Sequence, residues 1–127
     1  MTWEIVYGGD PEDVLATSHG TASVEGLHAL TSEIVSHPEF RPGLWIIFDE
    51  RDLDWGEMST SDLRRRVEFI TSYLEVAGEV RVAVVSPGPV GFGIHRQMEA
   101  YAGGFEFDMT VVPTLEEARA WLGPRAG

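Results

Sequence analysis

Short β-branched runs alternate with stretches of helical spacing along nearly the whole chain, and this order constrains the architecture more than any single residue does. Strands joined through helices can share one core in only a few ways. Residues 3–7 read as a first strand and residues 14–19 as a second. Only the turn cluster around Gly8-Gly9-Asp10-Pro11 separates them, which predicts an antiparallel pair. Val24, Leu27, Leu30, Ile34 and Val35 then fall near helical spacing, behind Thr21 or Ser23 as cap, and Pro38 and Pro42 stop that helix. Residues 44–48, Leu-Trp-Ile-Ile-Phe, are continuously apolar, as a central strand covered on both faces must be.

Ser59, with Asp62 three residues on, opens the longest helix in a capping-box pattern. Its core stripe is Leu63, Val67, Ile70, Leu74 and Ala77, and Gly78 closes it. Residues 80–85 form another buried strand. A Gly/Pro loop over 86–93 leads into a helix ending near Ala102, and residues 107–112 make the last strand. Thr114-Leu115-Glu116-Glu117 starts a final helix to Leu122, stopped by Gly123 and Pro124. The expected fold class is α/β: a single mixed β-sheet of about five strands with four helices, in the order β-β-α-β-α-β-α-β-α. Residues 1–127 form one domain.

Composition narrows the function. The formal net charge is -12, which disfavours nucleic acid and anionic membranes, both of which need cations against phosphate. There is no cysteine, and all nine basic residues are arginine. Thiolate metal sites, cysteine nucleophiles and lysine-dependent chemistry are therefore excluded. No run approaches the ~20 apolar residues of a membrane span. Met-Thr-Trp-Glu lacks the basic-then-apolar pattern of a signal peptide, so the expected location is cytoplasmic.

The order of elements resembles the SpoIIAA-like, or STAS-like, domain of small bacterial proteins. The more specific likeness is in the last third. It lies in residues 80–85, in the segment Val90-Gly91-Phe92-Gly93-Ile94-His95-Arg96-Gln97-Met98-Glu99, in Val111, and in the closing Thr114-Leu115-Glu116-Glu117-Ala118-Arg119-Ala120-Trp121-Leu122-Gly123. The resemblance implies a SpoIIAA/STAS-like fold. It also implies a non-enzymatic regulatory, ligand-binding or protein-interaction module without a cofactor. STAS domains of the anti-anti-sigma type carry a phosphorylatable serine in an Asp-Ser-Ser/Thr-Gly motif. The corresponding region here reads Asp52-Leu53-Asp54-Trp55-Gly56-Glu57-Met58-Ser59-Thr60 and lacks that motif, so Ser59 reads as a helix cap.

The candidate chemistry is sparse. Asp49, Glu50, Asp52, Asp54 and Glu57 offer hard oxygen ligands but lack the register of a calcium loop, so they read as a solvated acidic loop with no metal. His19, His28, His37 and His95 have no zinc-site spacing. Ser86 lacks a nucleophile-elbow motif, and no catalytic residue is assigned. A small apolar or amphipathic ligand is expected between the sheet and the helices flanking Trp55 and Phe92. Ser86, Gly93, His95 and Arg96 complete the candidate ligand site.

Phe69, Tyr73 and Val76 form a second apolar stripe on the longest helix. Either a neighbouring helix covers it, or it is the interface of a homodimer or a protein partner. The alternative to a binding module is a small enzyme with its site at the carboxyl ends of the parallel strands. That edge would gather Asp49, Glu50, Ser86, Gly93, His95 and Arg96.

Overall fold

The structure, a computed structural model, describes residues 1–56, 58–104 and 107–124, and for residue 75 the backbone alone. Its strands are β1 (Thr2–Tyr7), β2 (Val14–Thr21), β3 (Trp45–Asp54), β4 (Arg81–Val85) and β5 (Asp108–Val112). They lie side by side in chain order in one sheet. β1 pairs antiparallel with β2, and all other neighbours are parallel. The helices are α1 (Val24–Ser36), α2 (Thr60–Ala77), α3 (Pro89–Ala102) and α4 (Leu115–Leu122). The mixed sheet and the element order are those expected from the apolar spacing.

Local chemistry starts three of the helices. Ser23 Oγ accepts from Gly26 N at the head of α1, and Thr114 Oγ1 accepts from Glu117 N at the head of α4. At α2 the capping box is complete: Ser59 Oγ accepts from Asp62 N, while the Asp62 carboxylate accepts from Ser59 N. The Ser59 backbone N–H, and after it the Ser59 side chain, hold the Asp62 carboxyl below its usual pKa.

Alternation along the parallel strands divides the core into two layers. Ile47, Ala83 and Val85 meet Ala118 and Leu122 of α4. Val14, Ala16 and Ile46 face Leu30 and Ile34 of α1, and Val82 and Val84 share that side with Ala77 of α2. Helix α4 therefore covers one face, and α1, α2 and α3 cover the other.

One expectation is corrected. The acidic segment is not a solvated loop: through Asp54 it is the second half of β3, and Glu57 lies outside the described residues. The strand continues because β2 continues beside it, with His19, Gly20 and Thr21 opposite Asp52, Leu53 and Asp54. Between the pairs Thr17–Asp49 and His19–Asp52 the register slips, placing an extra residue in β3. This bulge turns the strand so that Leu53 lies in the core with Leu27 and Ala22. Asp49 is buried at the bulge. Its carboxylate accepts from Arg51 N, Nε and Nη2, the last at 2.7 Å. A buried acid with three donors needs no water around it.

Candidate functional site

A cavity of about 120 Å³ lies between the sheet and helices α1, α2 and α3. Most of its wall is apolar, supplied by Leu30, Ile34, Ile70, Val82, Val84 and Met98 among others. Toward the carboxyl ends of the strands the wall also contains Glu50, Trp55, Arg66 and His95.

Each polar side chain has a local reason to be there. Glu50 follows Ile46 and Phe48 at strand alternation, so it points toward the α1–α3 layer, beside the bulge. His95 stands one helical turn beyond Gly91 on the buried face of α3. Gly91 must be glycine, because a Cβ there would collide with Ser86 Oγ. That absent side chain lets α3 sit down on the end of β4 and brings His95 to the sheet. His95 Nε2 and Glu50 Oε1 are 2.8 Å apart, and both side chains are buried. Trp55 packs edge-on against the imidazole, with ring centroids 5.5 Å apart. The buried indole Nε1 of Trp55 has no hydrogen-bond partner among the described residues.

Arg66 sits on the core side of α2, three residues after Leu63 and four before Ile70. It donates to Leu27 O at 3.2 Å and to Thr31 Oγ1 at 2.9 Å, both on α1. It forms no ion pair within 4.0 Å among the described residues. Burial pulls its pKa down to about 10, against the opposing pull of the Glu50 charge, so the guanidinium stays protonated at neutral pH. On α1, burial first, then Arg66 and Arg65, lower the pKa of His28.

The residues expected at the site divide. Trp55 and His95 line the cavity, and Ser86 is buried against Gly91 just behind them. Phe92, Gly93 and Arg96 lie on the solvent side of α3, with the Arg96 guanidinium 5.8 Å from the Phe92 ring centroid. The cation that joins the polar group is thus Arg66, not Arg96. Sequence reasoning missed Arg66 as a site residue because it stands in the run Arg64-Arg65-Arg66. Its signal was its phase: only this arginine keeps the 63–66–70 spacing of the core stripe. Glu50 was expected beside His95 only under the enzyme alternative, at the carboxyl ends of the strands, and otherwise as one acid of the run; the signal for its inward face was the alternation Ile46–Phe48–Glu50.

The second stripe of α2 meets the neighbouring helix. Phe69 stacks on His28 of α1 with ring centroids 3.8 Å apart, and Tyr73 Oη lies 3.2 Å from Ser32 Oγ. Of the three stripe residues, Val76 alone is exposed. The carboxylates of β3 do not converge: Asp49 pairs with Arg51, Glu50 with His95 on the other face, and Asp54 accepts from Gly56 N. Among the described residues no helix is long and apolar enough to cross a membrane.

No family model matches the chain, and no curated protein matches it. Among solved structures it is similar to that of an uncharacterized protein of the DUF3478 family with a SpoIIAA-like fold, from Shewanella loihica PV-4. The TM-score is 0.60 at 16% sequence identity, over 95% of this chain and 92% of that one. The fold defined by the sheet order and the helix layers is therefore SpoIIAA-like.

Proposed function

We propose that the chain is a non-catalytic binding module that holds a small amphipathic ligand between the sheet and helices α1–α3. The observation that carries this reading is the cavity of about 120 Å³, apolar over most of its wall and polar where Glu50, His95, Trp55 and Arg66 meet. A site of this kind holds a ligand by apolar burial and orients it with a few polar groups. Dry cavities of about 150 Å³ accept benzene, so the volume suits a ligand of that class.

Calorimetric titration with hexanamide and benzamide should give saturable, one-to-one binding. Val84→Phe, which pushes a ring into the cavity from β4, should weaken it by about tenfold or more while keeping a cooperative melt. Native mass spectrometry should show a retained small molecule on wild type and none on the variant. Saturable binding unchanged in Val84→Phe, or no binding to wild type, would remove this reading.

A second reading is a small enzyme at the carboxyl ends of the parallel strands, and the Glu50–His95 contact favours it. A carboxylate that orients an imidazole is half of an acid–base pair. No hydrogen bond joins Ser86 to His95 among the described residues, so this pair has no nucleophile in place. Hydrolysis of short acyl esters that disappears in His95→Gln would favour the enzyme.

A further inference from the structure

We propose that the cavity's ligand is a small apolar monocarboxylate, of about eight non-hydrogen atoms, whose acid group pairs with Arg66. This inference rests on the binding-module reading and adds the charge and size of the ligand.

The charge follows from Arg66. Its side chain is buried, with 8% of the residue exposed, in the wall of the cavity. An uncompensated buried cation is costly, and native structures normally pair it. Here its partners are two neutral oxygens on α1, Leu27 O and Thr31 Oγ1. A guanidinium has five N–H donors in a planar fork, so these two contacts leave it donors to offer. The nearby acid, Glu50, is held by His95 and lies beyond ion-pair distance of Arg66. A carboxylate is the anion whose planar geometry matches the fork and whose single charge compensates the cation. Trp55 shares the cavity wall and carries an indole N–H without a partner among the described residues, a second donor for the ligand's polar end.

The size follows from the volume and the wall. A space of about 120 Å³ is too small for a long acyl chain and suits a six-carbon chain or one ring. Leu30, Ile34, Val82 and Val84 would cover that apolar body. Two features select against more than one negative charge. Glu50 is in the same wall, and the chain as a whole carries -12. A second anionic group on the ligand would meet both without another cation, since among the described residues the only arginine lining the cavity is Arg66.

The test is a calorimetric comparison of hexanoate, hexanamide and hexylammonium on wild type, Arg66→Met and Arg66→Lys. Wild type should bind hexanoate about tenfold tighter than hexanamide, because a charge-assisted pair replaces a neutral one. Hexylammonium should bind weakest. Arg66→Met should remove the preference for hexanoate, lowering hexanoate affinity more than hexanamide affinity, and Arg66→Lys should keep part of the preference. Equal affinity of wild type for hexanoate and hexanamide, or a preference for the amine, would overturn the carboxylate assignment while leaving the binding module standing. Failure of all three probes would overturn both. The wild-type comparison decides the matter even if Arg66→Met does not fold.

Discussion

Two arginines, one on each side of the sheet, are treated in opposite ways. On the α4 side, Arg81 stacks between Trp45 and Trp121, 5.0 and 4.5 Å from their ring centroids. It also donates to Leu122 O at the end of α4 and pairs with Asp108 at 3.5 Å. Its charge is met by a carboxylate, two π faces and a helix C-terminus. On the other side Arg66 is buried more deeply and, among the described residues, has only neutral acceptors.

The packing differs in the same sense. Ala83 and Ala118 let α4 press directly onto the sheet, and both are fully buried. Glu12 and Arg119 tie that helix to the β1–β2 turn at 2.8 Å. The α1–α3 layer spans a cavity instead. The α4 layer is built for stability. The α1–α3 layer encloses a cavity beside a buried cation that has no ion-pair partner among the described residues.

The largest effect that can break this contrast is a charge in the tight layer. Ile47→Asp should prevent folding, since a buried unpaired carboxylate costs several kcal/mol against a total of roughly 5–15 kcal/mol. A soluble Ile47→Asp protein with a cooperative melt would contradict the layer assignment. A smaller effect sharpens it. Ala118→Leu overfills the α4 layer and should cost about 1–3 kcal/mol, whereas Val84→Phe enters the cavity and should cost less than Ala118→Leu. Denaturant melts of the two variants compare the layers directly, and equal losses would mean that the α1–α3 side has no usable space.

The helix caps should not distinguish the layers. Ser59→Ala at α2 and Thr114→Ala at α4 should each cost about 1 kcal/mol, because each removes one backbone cap. Chemical denaturation would show this, and Ser59→Ala should leave hexanamide binding unchanged.

The smallest change expected is at Arg66. Its folded pKa of about 10 lies below its unfolded value, so the protonated side chain withdraws stability at neutral pH. That penalty is fully present below about pH 10 and shrinks only as pH rises from there toward the unfolded pKa. Arg66→Met should therefore be no less stable than wild type at pH 7 without ligand. A marked drop in its melting temperature would show that the contacts to Leu27 and Thr31 outweigh the burial of charge.

Much of this arrangement was legible in the sequence. The alternation of apolar runs foretold the sheet and its helices, and Ser59 with Asp62 and Thr114 with Glu117 marked two helix starts to the residue. The second half of β3 was not legible. A run of Asp, Glu, Asp and Asp reads as solvent-exposed, and nothing local announces the bulge or the Arg51 fork that lets Asp49 be buried. The site was half legible. Trp55 was expected beside the helices that flank the sheet and His95 at the carboxyl ends of the strands, but Arg66 was masked by its two arginine neighbours. Phe92, Gly93 and Arg96 drew attention because they share a glycine-rich segment with His95. A helix turns successive residues by about 100°, and that rotation sends them outward.

The central claim is that the α1–α3 layer, and not the α4 layer, receives a ligand at Arg66. An amide and side-chain NMR titration of the wild-type protein with hexanoate tests it most directly. The account predicts saturable shifts concentrated on the Arg66 side chain, the Trp55 indole N–H and His95, with the resonances of Ala118 and Leu122 unmoved. Shifts centred on α4 or on the exposed Phe92–Arg96 surface, or no saturable shifts at all, would contradict it.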